Sequence, residues 1–556
     1  MEPTDIQKAI INYDGNAVVL ASPGSGKTYV LSELIKRVVK KQEIRPYQGV
    51  IAISYTRKAS TNLKSRAISG GIPQKKSFFG TIDNFCVTQI IDSFGNYVFG
   101  HPAKKVEIIG LNDLTKEEQD IFKWIKDEHP DYANIKPEQH KSLALLFLRG
   151  YVLVDSLELL ALHIIKNCKA CRNYIYARFK YVFIDEFQDA DTYTNDILLN
   201  LLELGMVCVA VGDVNQSIFG FAHKDSKYIC ELAKNPTFKS FTLNQNFRSA
   251  VPIINYSNRL LNSSYKVLET DKKSIFLIRV EGDERNIAEF IDKRISNICT
   301  KWNVSENSKI AILVKNNKTQ AIINENLSTP HRLVKATILD EDLNPKSRLY
   351  TSLLRFYFDP TMSFLNIIDD FVDYGTLSNN DKSLLQKYHQ ELRNIRNDKN
   401  ETLPDIFKRI ANIIMPKMDD GSSISKLKTV LLNDQDLDSY RPMNSNEVQL
   451  MTLHKSKGLE FDIVFHLNVC EWELPTKIIK NNNSAYVNWK QDLGLHYVGI
   501  TRARKACFLV RGTKRTNSAG IQIQANDSEY LSINSLYTLR DEFDYNNGII
   551  YTQTNK

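Results

Sequence analysis

Two short stretches carry residue types and spacings suited to phosphate chemistry. The first is Ala21-Ser22-Pro23-Gly24-Ser25-Gly26-Lys27-Thr28. Its glycines let the backbone curl until successive N–H groups face one centre, which suits phosphate oxygens. A helix starting here adds the positive end of its dipole. Lys27 would reach the β- and γ-phosphates of a nucleotide, and the Thr28 hydroxyl would bind Mg²⁺. The loop opens on Ala21 where the general pattern has Gly. The second stretch is Asp185-Glu186-Phe187-Gln188-Asp189. A nucleotide loop needs a carboxylate on a neighbouring strand, and Asp185 would hold Mg²⁺ through water. Glu186 is then placed to orient and deprotonate the attacking water.

Such loops work only between a buried strand and a helix, and the flanking patterns provide both. Ala17 to Ala21 is an apolar run, and apolar residues at 30, 31, 34, 35 and 38 follow at helical spacing. Val50 to Ser54 is a second buried strand. Further runs at 181–185, 206–211, 274–278, 310–314, 448–451, 463–465 and 507–510 alternate with helical stretches, the pattern of parallel sheets covered on both faces. Two long stretches break that alternation and read as mainly helical. The fold class is therefore α/β: two parallel-sheet domains, each with a helical insert. The expected boundaries are 1–85, 86–178 (insert) and 179–242 for the first, and 243–330, 331–446 (insert) and 447–556 for the second. The polar tail after Tyr545 is expected to fray.

With 556 residues, the chain exceeds one ordinary core. A 42% hydrophobic and 24% charged composition excludes disorder as its theme. No signal peptide or membrane-spanning run is expected, and eight scattered cysteines fit a reducing cytoplasm better than a disulfide framework. Cys168-Lys169-Ala170-Cys171 has ligand spacing but no second ligand pair nearby, so two ordinary helix thiols are expected. The net charge of +8 says little as a total; its placement says more. Seven basic residues lie between Glu43 and Asp83 with no acid (Arg45, Arg57, Lys58, Lys64, Arg66, Lys75, Lys76). Six lie between Asp492 and Asp527 (Arg502, Arg504, Lys505, Arg511, Lys514, Arg515). Acid-free basic runs suggest a nucleic-acid groove.

The two phosphate motifs, with others in order, resemble the UvrD/Rep/PcrA helicases of superfamily 1A. Thr4-Asp5-Ile6-Gln7-Lys8-Ala9-Ile10 looks like the Q motif, Ser54 to Ala59 like motif Ia and Gly80 to Phe85 like motif Ib. Val211 to Phe221 looks like motif III, Asn244 to Ser249 like motif IV, Met451 to Phe461 like motif V and Tyr497 to Arg504 like motif VI.

The resemblance implies two RecA-like motor domains with ATP between them. Gln7 would read adenine, and Ser22, Pro23, Gly24, Ser25, Gly26, Lys27 and Thr28 would cradle the phosphates. Arg248 and Arg502 would act as arginine fingers, Gln216 would sense the γ-phosphate, and Glu460 would contact the nucleotide. Tyr29 and Phe247 stand where the best-known relatives place Arg and Tyr; two rings could still sandwich adenine, without the cation–π component. Tyr55, Thr56, Arg57, Phe219, Phe221 and His454 are the expected DNA contacts, the rings by stacking. Asp83 occupies a place that is often His and is expected to cap the helix near Asn84.

The function implied is an ATP-driven helicase or translocase acting on single-stranded or partially duplex DNA, moving 3′ to 5′. The size also looks like the helicase subunit of Gabija-type anti-phage systems, which works with a nuclease subunit (OLD-family type). The alternative is an ATPase that senses DNA or nucleotide and regulates such a nuclease with little unwinding of its own.

Overall fold

The computed structural model describes residues 2–552 apart from 219, 221–222, 343, 360, 373, 396–401, 417, 419, 421, 481–482, 518–519 and 547–548. Two large sheets organise it. The first has six parallel strands in the order Phe78–Gly80, Gly49–Ile53, Phe179–Ile184, Val207–Gly212, Ala17–Ala21, Lys239–Leu243. The second has eight, in the order His331–Leu333, Val448–Thr452, Ile310–Val314, Phe461–Leu467, Ala503–Gly512, Ile275–Val280, Asp541–Asn546, Ile549–Thr552. Only its last pair is antiparallel. The central strands are apolar along their whole length because helices cover both faces: every residue of Gly49–Ile53 and Ile310–Val314 is buried.

The loop Ser22–Gly26 leaves the first sheet at a strand with neighbours on both sides; Asp213 follows the neighbouring strand Val207–Gly212, and Asp185 follows Phe179–Ile184, one strand further. Parallel strands bring their C-terminal ends together, so one edge collects the loop, the acidic pair and Asp213. Among residues 338–440, helices such as Pro345–Phe358 and Leu403–Ile414 enclose a separate apolar core.

Within 86–178 the helices share one core with the first sheet, and two short strands, Glu107–Ile109 and Tyr151–Leu153, pair in parallel. The entry to this stretch runs through a π-helix, Cys86–Ile91. The tail after Tyr545 is not frayed as far as Thr552: Ile549–Thr552 pairs antiparallel with Phe543–Asn546, whose strand lies beside Ile275–Val280. Backbone pairing at a sheet edge needs no buried apolar face, and Ile549 and Ile550 stay exposed. Asp83 is not the cap: Thr81 precedes the helix Ile82–Phe85 and its hydroxyl accepts from Asn84 N at 3.3 Å.

Candidate functional site

The loop is held from three sides. Gly24 and Gly26 have φ of +69° and +84°, which only glycine adopts freely. A Cβ on Gly24 would lie 2.4 Å from Asn246 Oδ1 and 2.7 Å from Arg248 Cβ, so the segment entering the second half of the chain packs directly on the loop. Phe247 N donates to Gly24 O at 2.8 Å, and Ser22 N to Leu243 O at 2.9 Å. Gln7, positioned by a capping box with Thr4, donates from Nε2 to Ser25 O at 3.1 Å. The helix Lys27–Lys40 starts directly after Gly26. Pro23 and Ser25 are buried, while Ser22, Thr28 and Tyr29 are half-buried beside them; Phe247 is 37% exposed.

Facing the loop, Asp185 and Glu186 close the strand Phe179–Ile184. Asp185 N donates to Ile53 O and its Oδ1 accepts from Glu186 N at 3.0 Å. Glu186 sits at φ +56°, a strained position for a residue with a side chain, which turns its carboxylate out of the strand. Lys27 Nζ lies 3.3 Å from Glu186 Oε1. Burial alone would neutralise these groups, yet they charge each other. Glu186, desolvated, is nevertheless held down at about 2 by Lys27 and Lys457. Lys27 loses solvation but is raised by Glu186, Asp213 and Asp185. Asp185 is pushed up to about 7 by burial and by the neighbouring Glu186 charge. A carboxylate so disfavoured is a hard-oxygen donor whose charge a divalent cation would relieve, the half-buried Thr28 of the loop offers a second oxygen, and Mg²⁺ bound to a triphosphate needs few protein ligands.

From Glu186 a hydrogen-bonded chain crosses between the sheets. Gln188 Nε2 donates to Glu186 Oε2, and Gln188 Oε1 accepts from Asp213 N at 2.9 Å. Asp213 Oδ2 accepts from Gln216 Nε2 at 2.8 Å, and Gln216 Oε1 accepts from Arg502 Nη2 at 3.0 Å. Arg502 follows the helix Trp489–Thr501 of the second half, is 2% exposed, and also donates to Val498 O and Leu459 O. Burial and the like charge of Arg248 bring it down to about 10. Arg248 is turned toward Glu460 (2.6 Å) and Thr501 O (3.3 Å). Glu460, expected at the nucleotide, is thus Arg248's partner here. Lys457 ties the halves again, bonding Asp189 and donating to Gln216 O at 2.7 Å. Spacing had not assigned roles to Gln188, Asp189, Asp213 or Lys457; their motif membership was the only signal.

The expected DNA contacts divide. Phe219 and Phe221 lie outside the described residues. Thr56 is exposed but its hydroxyl caps the helix Arg57–Ala67, accepting from Ala59 N at 3.2 Å. Tyr55 and Arg57 line a cavity of about 200 Å³ against the helices after 338. His454 is half-buried beside Lys315, Asp492 and Lys457; burial, then Lys315, lowers its pKa, favouring the neutral ring. Most of the second basic run is taken up inside the domain, with Arg504 and Lys514 exposed. Arg502 is in the cleft, Lys505 pairs with Asp462 at 2.8 Å, Arg511 with Asp527 and Arg515 with Glu473 at 3.5 Å. Acids distant in sequence neutralise it, which a linear count cannot show. Cys168 and Cys171 are buried free thiols, and among the described residues no cluster of three or more His, Cys, Asp or Glu could hold a metal.

Comparison with known proteins agrees with this architecture. The UvrD/REP helicase N-terminal domain matches residues 3–149 and 146–237, and the UvrD-like helicase C-terminal domain matches residues 347–512. The Gabija protein GajB of Bacillus cereus is 25% identical over 526 residues, covering 92% of this chain and 95% of that one. The ATP-dependent DNA helicase PcrA of Staphylococcus aureus is 22% identical over 621 residues (92% and 83%). The ATP-dependent DNA helicase Rep of Buchnera aphidicola is 24% identical over 618 residues (90% and 93%). Two parallel sheets, a glycine-lysine-threonine loop on the first, an acidic pair two strands away at the same sheet end and both matching domains lead to one conclusion: the chain belongs to the UvrD/Rep family of ATP-dependent helicases, with two RecA-like motor domains.

Proposed function

We propose that the chain hydrolyses ATP in the cleft between its two sheets and uses closure of that cleft to move 3′ to 5′ along single-stranded or partially duplex DNA in the cytoplasm. The observation that carries this reading is the bond from Arg502 to Gln216, because it joins the second motor domain to the Asp213–Gln188–Glu186 chain of the first. A site completed by both domains couples chemistry to their separation. Lys27 and the N–H groups of residues 24–28 would grip the β- and γ-phosphates. Asp185 and Thr28 would hold Mg²⁺, which supplies charge neutralisation on the phosphates. Ionised Glu186 would take the proton of the attacking water. Arg248 would leave Glu460, and Arg502 would turn from Gln216, to meet charge developing on the γ-phosphate. Gln7 and the Tyr29 and Phe247 rings would hold adenine.

The similarity to GajB over nearly the full length of both chains favours a second, narrower reading: the ATPase works bound to a nuclease subunit of OLD-family type in anti-phage defence. ATP turnover measured with and without single-stranded DNA tests the first. Strong stimulation that fades as salt rises is expected, together with strand displacement by the chain alone. Absence of stimulation overturns it. Stimulated turnover without displacement, restored by a co-purifying nuclease, selects the second.

A further inference from the structure

The segment that leaves Gln216 is fastened at both ends, and the two ends answer to different parts of the molecule. At its start the second motor domain supplies the donors: Arg502 to Gln216 Oε1, Lys457 to Gln216 O, and Gln491 Nε2 to Ile218 O at 2.9 Å. At its end, residues 223–225 are held by the first domain and its insert. His223 sits at φ +58°, strained for a residue with a side chain. Its Nε2 lies 2.6 Å from Lys126 O, and its ring stacks on His129 with centroids 4.7 Å apart and planes inclined by 8°. Asp225 N donates to Ala190 O at 3.1 Å.

Between these two contacts Lys224 turns inward. Its side chain is 14% exposed, and its Nζ lies 3.2 Å from Asp191 Oδ2 and 3.6 Å from Glu158 Oε1. Asp191, just past Asp189, caps the helix Thr192–Glu203 and accepts from Thr194 N at 2.8 Å. Glu158 belongs to the insert helix Leu157–Asn167 and accepts from the Thr194 hydroxyl. His129 Nε2 lies 3.3 Å from the same Asp191 oxygen that Lys224 meets. Burial, then the Asp191 charge, pushes the Glu158 carboxyl up to about 8. Asp191, despite its burial, is held below the usual carboxylate range by His129 and Lys224. A cation and an acid buried this deeply both give up hydration, so the pair adds less stability than its attraction suggests; what it fixes is distance.

In the cycle proposed above, Arg502 turns away from Gln216. Gln216 then keeps its place only if its segment does not follow the second domain. We propose that Lys224 is a positioning residue for ATP turnover: by fastening the end of this segment to Asp191 and to Glu158 of the insert, it keeps Gln216 beside Asp213 while the second domain moves. This rests on the cleft reading above, in which Gln216 belongs to the nucleotide site.

The test is ATP turnover of the full chain with saturating single-stranded oligonucleotide, read as kcat and KM beside the melting temperature. Lys224→Met should lower kcat about tenfold and leave KM for ATP within about twofold, because a group displaced from the reacting phosphate costs rate more than binding. Lys224→Arg, which restores a cation between the two acids, should recover most of the rate. The decisive measurement is the double variant. In a Gln216→Ala background, Lys224→Met should change kcat by less than about twofold, since the group it positions is gone. An equal fall in both backgrounds means a general structural role and overturns the proposal, as does a folded Lys224→Met protein with wild-type kcat. Should Lys224→Met fail to fold, the exposed His223 serves instead. His223→Ala should lower kcat about threefold, and an unchanged kcat overturns the proposal equally. Failure of the cleft reading is distinct: Gln216→Ala by itself would then turn over like wild type, and the positioning role would fall with it.

Discussion

The nucleotide cleft and the groove under the insert are both rich in buried charge, but their charges are arranged in opposite ways. In the cleft most charges are paired: Lys27 with Glu186, Lys457 with Asp189 and Arg248 with Glu460, while Arg502 donates to Gln216 Oε1; Arg248 Nε and Asp189 Oδ1 stay buried without a partner. In the groove, between the helices Arg57–Ala67 and Pro345–Phe358, four cations (Arg57, Lys64, Arg348 and Arg355) face one acid, Asp370, and Arg348 and Thr351 each keep a buried donor unpaired. A network of opposite charges in pairs stores a switch, because a ligand must exchange partners to enter. An excess of one sign stores affinity, because a ligand need only arrive. The cleft is thus built to change state and the groove to hold.

That contrast can be broken at its strongest point first. Glu186→Gln keeps the bond pattern around Lys27 but removes the proton acceptor, and turnover should fall about 10²- to 10⁴-fold while nucleotide affinity stays close to wild type. Single-turnover hydrolysis beside equilibrium nucleotide binding reads both; normal turnover would remove Glu186 from its role.

Next is Lys457→Met. It leaves Asp189 buried without its cation, at a cost of about 3–5 kcal/mol. Burial holds the Asp189 carboxyl up at about 6, above its ordinary 3.8. A raised carboxyl favours the folded, closed state when protonated; that contribution is complete below 3.8 and is lost as pH rises through 6. Without Lys457 to support the ionised form, the deficit should be largest above pH 6 and should close towards pH 4. Thermal melting of variant and wild type across that range checks it, and a pH-independent deficit would contradict the assigned pair.

The smallest effect belongs to the groove. Lys64→Ala removes a pair whose acid, Asp370, keeps 41% of its side chain exposed, and should shift stability by less than about 1 kcal/mol, vanishing at high salt. A loss as large as that of Lys457→Met would mean the groove is locked rather than open.

The most local features were legible in the sequence. Glycines 24 and 26 demand a curled loop, and the apolar runs around it read as buried parallel strands, because φ preference and side-chain period are set within a few residues. Asp185 and Glu186 could be placed at a strand end for the same reason. Asp83 was misread because Thr81 and Asp83 both suit a cap, and only the helix start decides between them. The tail after Tyr545 looked polar because its strand, Ile549–Thr552, is held by backbone pairing to Phe543–Asn546, which no apolar pattern announces.

Charge was the least legible property. Two acid-free basic runs look equivalent along the chain, yet Asp462, Asp527 and Glu473 neutralise much of the second, while Arg57 and Lys64 of the first line a pocket under the insert. What the sequence determined by itself was the chemistry available: a phosphate loop, an acidic pair and two sheets to carry them, each written in short-range pattern. Which cations stay free, which are spoken for, and that Arg348 stands opposite Arg57 were decided only by the tertiary structure. Coulomb interactions depend on distance in space, and folding sets that distance with little regard to separation in sequence.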